Sequence, residues 1–137
     1  MRFMIIIKAT PGSEAGQMPG LEMLEVMSKY HQQLAAAGVL VDASGLHPSS
    51  KGWRVMYQGS QRSVIDGPFA ETKELIAGYT TIQVRSETEA REWALKFPNP
   101  SLEGGSAQIE IRRLFELDEL EPCEAVESFR RLPGINR

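Results

Sequence analysis

The order of its periodic segments constrains the fold of this 137-residue chain more than any other feature of the sequence. Residues 2–9, 75–85 and 107–114 alternate between apolar and polar or mixed positions, which predicts three strands. Apolar residues at helical spacing predict helices over residues 21–37 and 86–97. The chain is therefore predicted to form a strand and a helix, later a second strand and helix, and then a last strand.

Shorter segments fill the stretches between these elements. Residues 39–41 predict a further strand, and residues 53–57 and 62–65 predict two strands joined in a hairpin. Residues 10–20 are punctuated by Pro and Gly and predict a loop. Residues 118–137 are expected to form a C-terminal tail or a short helix.

This order fits a ferredoxin-like α+β sheet with two helices on one face and an inserted β-hairpin, because right-handed crossovers place both helices on the same side. The other face of the sheet then lacks cover. Its residues would be Met4, Ile6, Lys8, Tyr79, Thr81, Gln83, Glu110 and Arg112. A mixed apolar and charged sheet face usually packs against something, so we expect a homodimer that closes a dimeric α/β barrel.

Composition excludes several classes of protein. A length of 137 residues predicts one domain over residues 1–137, and the longest apolar run, residues 4–7, is far too short for a membrane span. The N-terminus shows no secretory signal, so a cytoplasmic location is expected. A net charge of −3 without a long basic run argues against direct nucleic-acid binding. The single cysteine, Cys123, lies among carboxylates and is expected to be inert.

A charged connector, Asp66-Gly67-Pro68-Phe69-Ala70-Glu71-Thr72-Lys73-Glu74, follows the predicted hairpin. With residues 45–52 before it and residues 75–79 and 89–93 after it, this connector resembles the YCII-related family, in its YciI-like branch with the DGPF domain. The resemblance runs through most of the chain. It implies a single YCII-related (DGPF) domain with the ferredoxin-like fold, paired into a dimeric α/β barrel.

Six residues form the predicted ligand pocket: His31, Asp66, Phe69, Glu71, Tyr79 and Arg112. Asp66 and His31 are the candidates for a general base, but Asp-Gly is also a common turn pair and His31 also fits a core-edge position. Phe69 fits a core plug, and Glu71 fits a solvated face. In the shorter YciI branch a helix histidine is paired with an aspartate, but the register here puts Met27 nearer that place, so the role is not carried over to His31.

No metal is predicted, because His47 lies in a loop far from His31 and no acidic residue is suitably spaced. No cofactor is predicted either.

Three functions stay open, and the sequence does not decide whether the protein is an enzyme. The first is binding of a small polar or aromatic metabolite.

The second and third functions follow from the resemblance. Relatives include a dechlorinating enzyme that acts on a hydroxylated aromatic, and related barrels host cofactor-free oxygenases and isomerases, which implies a cofactor-free lyase, dehalogenase or isomerase-like enzyme. Genes of the branch commonly neighbour those of extracytoplasmic-function sigma factors, which implies an accessory regulatory protein that acts with such a factor.

Overall fold

A computed structural model describes residues 1–102 and 104–135 of the chain. Its strands are β1 (Arg2–Lys8), β2 (Leu40–Gly45), β3 (Trp53–Gln58), β4 (Gln61–Asp66), β5 (Ile76–Gln83) and β6 (Ile109–Arg113). Its helices are α1 (Pro11–Glu14), α2 (Leu21–Ala36), α3 (Glu87–Leu95) and α4 (Glu124–Arg130). No helix within these described ranges is long and apolar enough to cross a membrane.

Four strands form the main sheet in the order β2-β5-β1-β6, and every neighbouring pair is antiparallel. The connections β1-α2-β2 and β5-α3-β6 each join parallel strands that have one other strand between them. Two such split βαβ units define a ferredoxin-like sheet. The predicted α+β fold is therefore confirmed.

The core lies between this sheet and the two long helices. Ile5, Leu34 and Ile82 are completely buried, and Tyr30 of α2 and Ala90 of α3 belong to the same cluster. Full burial of one large aliphatic side chain contributes roughly 1.5–3 kcal/mol. Because α2 and α3 pack on the same apolar face, the predicted placement of both helices on one side is confirmed.

The prediction of a loop over residues 10–20 is wrong for residues 11–14, which form the short helix α1. Thr10 and Ser13 cap it reciprocally: Thr10 Oγ1 accepts from the Ser13 amide at 3.2 Å, and Ser13 Oγ accepts from the Thr10 amide at 2.9 Å. Pro at the first helical position is also favourable. One helical turn is too short to produce the apolar periodicity by which the longer helices were predicted.

The C-terminal segment contains the predicted short helix. Leu117 and Val126 are buried, and Arg130 of α4 pairs with Asp118 at 2.8 Å. Arg2 ties this segment to β1 through two hydrogen bonds to the Glu116 carboxylate, at 2.9 and 3.0 Å. These bonds lower the pKa of Glu116. Residues 136 and 137 of the predicted tail lie outside the described residues.

The predicted hairpin is confirmed, and it forms a two-stranded sheet separate from the main one. β3 and β4 pair in a continuous register from Trp53 opposite Asp66 to Gln58 opposite Gln61. Trp53, Tyr57 and Val64 are 67%, 66% and 65% exposed. An isolated two-stranded ribbon is marginally stable in water, so this apolar hairpin is a surface suited to further packing.

The face of the main sheet opposite the helices is the predicted mixed one, here called the open face. Ile6 lies on it between Tyr79 and Glu110 of the neighbouring strands. Glu110 is 3.2 Å from Arg112 and 3.6 Å from Lys8, and these cations lower its pKa, the hydrogen bond from Arg112 most of all. The charges on this face thus form a local cluster beside an apolar centre.

Tyr30 makes the stability of the folded state depend on pH in the alkaline range. Its hydroxyl donates to the Trp93 carbonyl at 2.6 Å, and burial raises its pKa from 10.0 to about 12. Above pH 10 the unfolded chain loses the phenol proton before the folded one does. The contribution of Tyr30 to the free energy of unfolding is therefore fully present below about pH 10 and is lost as the pH rises toward 12.

We expect Tyr30→Phe to flatten this loss and, by removing the hydrogen bond to the Trp93 carbonyl, to lower stability near pH 8 by about 1 kcal/mol or less, because that carbonyl still accepts from the Lys96 amide at 3.2 Å. Urea unfolding between roughly pH 8 and pH 11.5 measures both effects. Tyr57→Phe, which removes the hydroxyl of a mostly exposed tyrosine, is the control and should keep the wild-type slope. An unchanged slope in Tyr30→Phe would contradict the assignment.

Candidate functional site

A cleft of about 660 Å³ lies beside α2, between the loop that follows α1 and the loop that follows β2. Its floor includes Gly78 and Thr80 of β5, and its walls are mostly apolar. The larger apolar side chains that line it are Ile7, Met18, Met23, Leu24, Met27, Leu46, Phe97 and Leu102. Volume and apolar character are those of a small-molecule site.

His31 of α2 lines the cleft and makes two hydrogen bonds through its ring. Nδ1 lies 2.7 Å from the Met27 carbonyl oxygen and Nε2 lies 2.8 Å from Thr80 Oγ1. The carbonyl can only accept, so Nδ1 carries the proton, and in the neutral ring Nε2 accepts from the Thr80 hydroxyl. Edge contacts with Tyr30 and Phe97, at ring-centroid distances of 5.5 and 6.2 Å, hold the imidazole from the sides. His31 is therefore a preorganised polar group in an apolar site.

The charge of the cleft is distinctive for an acidic chain. The protein has 18 Asp and Glu residues, yet none of the described residues that line the cleft is acidic. Lys8 and Tyr79 border it, but the Lys8 ammonium is 3.6 Å from Glu110 and the Tyr79 hydroxyl donates to Asp42 at 3.4 Å. The two histidines of the chain, His31 and His47, both line the cleft. A cation inside it would find no carboxylate partner among the wall residues that the structure describes.

The residues Asp66, Gly67, Pro68 and Phe69, here called the DGPF turn, lie outside the cleft walls. Asp66 is exposed at the end of β4, and the Gly67-Pro68 peptide bond is cis. The Gly67 amide donates to the Gly52 carbonyl at 2.9 Å, and the Phe69 ring lies 3.8 Å below the Arg54 guanidinium. The turn thus packs on the segment that includes the 3₁₀ turn Ser49–Lys51.

Ser49 joins the DGPF turn to α1. Its hydroxyl accepts from the Phe69 amide at 3.1 Å and donates to the Glu14 carboxylate, while its amide donates to Glu14 Oε2 at 2.9 Å. Three segments that are distant in sequence meet at this one side chain. Hydrogen bonds to a carboxylate are stronger than those between neutral groups, so the connection is firm.

The six predicted pocket residues are not brought together. His31 and Tyr79 border the cleft, whereas Asp66, Phe69 and Glu71 belong to the connector, and Arg112 lies on the open face. Thr80, His47 and the methionines at positions 18 and 23 line the cleft and were not predicted as site residues. Strand parity could have found Thr80, because residue 80 faces the helices while residue 79 faces away.

Within residues 1–102 and 104–135, no group of three or more His, Cys, Asp or Glu side chains is placed to hold a metal ion.

A family model of the YCII-related domain matches residues 1–116. The chain belongs to the YCII-related family. Its α4 helix lies beyond the matched segment. Membership of the DGPF branch stays a prediction.

Proteins similar to this YCII-related chain include one curated sequence and one solved structure. An uncharacterized protein of Rhizobium meliloti (strain 1021) is 30% identical over 94 residues, which are 69% of this chain and 76% of that protein. A solved structure, 5-chloro-2-hydroxyhydroquinone dehydrochlorinase from Burkholderia phenoliruptrix AC1100 in complex with 2,5-dihydroxybenzoquinone, is 15% identical. Its TM-score is 0.48, over 88% of this chain and 100% of that chain.

Proposed function

We propose that this YCII-related protein binds a small, largely apolar molecule in the cleft beside α2. The observation that carries the proposal is the cleft itself, about 660 Å³ with mostly apolar walls and a few polar groups, among them Ser28 and His47. Such sites bury most of a ligand in apolar surroundings and orient it by a few polar contacts. An aromatic molecule of one or two rings has a suitable size.

The charge of the ligand follows from the walls. Among the described residues of the walls a cation would find no carboxylate partner, and burial of an uncompensated charge is strongly unfavourable. An uncharged or anionic group can instead meet the hydroxyl group of Ser28 and the imidazole group of His47. We therefore infer that the ligand is neutral or anionic.

Methionine methyl signals offer a direct test. The chain has six methionines, of which Met18, Met23 and Met27 line the cleft, while Met56 lies in the exposed hairpin. We expect 4-phenylbutanol and 4-phenylbutyrate to shift the three cleft methyl signals in NMR spectra and to leave that of Met56 unchanged. The matched cation 4-phenylbutylamine should bind at least about tenfold more weakly, a difference of about 1.4 kcal/mol.

Substitution of the cleft wall provides the control for this titration. Met27→Glu places a carboxylate at the site and is expected to weaken binding of the anion more than that of the alcohol. Met56→Glu makes the same change on the hairpin and should alter neither. Equal affinity for all three probes, or shifts at Met56 alone, would contradict a neutral or anionic ligand in this cleft.

A cofactor-free enzyme that uses His31 or Asp66 as a general base is the alternative. His31 lies in the cleft, and its unprotonated Nε2 is the atom that would take a proton. That atom already accepts from Thr80 Oγ1 at 2.8 Å, and Asp66 lies outside the cleft walls. Both observations favour binding over catalysis.

A homodimer is part of the proposal. The open face and the apolar hairpin both carry large apolar side chains that are exposed or half-exposed in the single chain, among them Ile6, Trp53 and Val64. A two-fold pair of such faces buries both in a self-complementary interface. The cytoplasmic location and an association with a sigma factor stay predictions; co-purification tests the latter.

A further inference from the structure

We propose that the DGPF turn, Ser49 and Glu14 form a clamp that holds the two walls of the cleft mouth at the spacing a ligand needs. The residues of this clamp do not line the cleft, so they are positioning residues for binding. The inference rests on the proposed binding function of the cleft. It assigns a role to the connector by which the chain resembles its family, although that connector lies outside the site.

The two clamped segments belong to opposite walls of the cleft. Glu14 is the last residue of α1, and the residues around it, from Thr10 to Pro19, contribute one wall of the cleft. Ser49 directly follows Leu46, His47 and Pro48, which contribute the opposite wall. The two hydrogen bonds from Ser49 to the Glu14 carboxylate therefore cross from one wall to the other.

Apart from the Glu14 carboxylate, little holds α1 in place on the protein. None of its four residues is buried, so burial of apolar side chains does not fix this helix on the protein. A single helical turn is also far too short to be stable by itself. The Glu14 carboxylate is thus a principal attachment of this wall, and a hydrogen-bonded carboxylate is a strong one.

Ser49 is itself held in place by the DGPF turn. From the side away from α1, the Phe69 amide donates to the Ser49 hydroxyl, and the Gly67 amide donates to Gly52 at the other end of the same 3₁₀ turn. The DGPF turn therefore fixes the turn that holds Glu14. A wall fixed before the ligand arrives needs no ordering on binding, which raises affinity.

The test compares Ser49→Ala with two matched variants. Ser49→Thr keeps the hydroxyl, and Ser50→Ala removes the exposed serine next to it, which is outside the clamp. We expect Ser49→Ala to weaken binding of 4-phenylbutyrate about tenfold, in keeping with the loss of a hydrogen bond to a charged group. Ser49→Thr should restore most of the affinity, and Ser50→Ala should match wild type.

A measurement without ligand separates this inference from the proposed function. In the free protein, Ser49→Ala should shift the methyl signal of Met18, which lies on the clamped wall, and leave that of Met56 unchanged. Glu14→Ala breaks the clamp from its α1 end and should give the same pattern, which covers the case that Ser49→Ala does not fold. Wild-type signals at Met18 in both variants, or unchanged affinity, would overturn the clamp. Failure of wild-type protein to bind any probe, with Met18 shifted in the variants, would overturn only the proposed ligand.

Discussion

Replacing Gly67 by alanine is expected to destabilise the fold by about 3 kcal/mol or more, at the severe end of what single substitutions do. A Cβ atom at this position would lie 1.8 Å from the Ser49 carbonyl oxygen and 2.7 Å from its carbon. Both atoms belong to the backbone, so no side chain can rotate away. The turn that would have to move is itself held by bonds from Lys51 to Pro48 at 3.0 Å and from Gly52 to Ser49 at 2.9 Å.

Gly52→Ala is the matched control for this substitution. Gly52 belongs to the same packed segment, has an extended backbone at φ −118°, and its added Cβ would lie 3.6 Å from the same Ser49 oxygen, an ordinary contact. We expect it to change stability by less than about 0.5 kcal/mol. Urea unfolding of both variants against wild type measures the difference. Equal midpoints would show that the close approach at Gly67 is not required by the fold.

The fold could be predicted because the sequence patterns that identify its strands and helices are local. Phe3 and Ile5 alternate with Met4 and Ile6, and this alternation both identifies the strand and assigns each residue to a face. The helical spacing that places Leu34 toward the sheet acts in the same way. Since right-handed crossovers leave few topologies for such a series of elements, the sheet order followed from the element order.

The candidate site could be predicted only in part, because its contacts join distant parts of the chain. His31 meets Thr80 across 49 residues, and Glu14 meets Ser49 across 35. No local pattern carries such pairings. The predicted pocket also mixed the two faces of the sheet: His31 lies on the helix side, whereas Arg112 lies on the open face. Parity along β6 places Arg112 with Glu110 on the face away from the helices, which is enough to exclude it from a pocket that contains His31.

A substitution on the open face is expected to have a large effect on the association of two chains. Ile6→Glu is expected to weaken the proposed homodimer at least about 100-fold, because a two-fold interface contains every substitution twice and each new carboxylate would be buried beside Glu110. Sedimentation velocity over a range of protein concentrations measures the change. Leu95→Glu makes a similar substitution on α3, at a side chain that is 88% exposed and on the far side of the sheet, and should leave the association unchanged.

Two outcomes of the sedimentation experiment distinguish separate errors. Wild-type protein that stays monomeric at every concentration would refute the homodimer. A dimer that is as tight in Ile6→Glu as in wild type would place the interface away from the open face, and the exposed hairpin with Trp53, Tyr57 and Val64 would then be the surface to substitute next. Far-ultraviolet circular dichroism of Ile6→Glu must retain the wild-type spectrum, which the half-exposed position of Ile6 in the single chain leads us to expect.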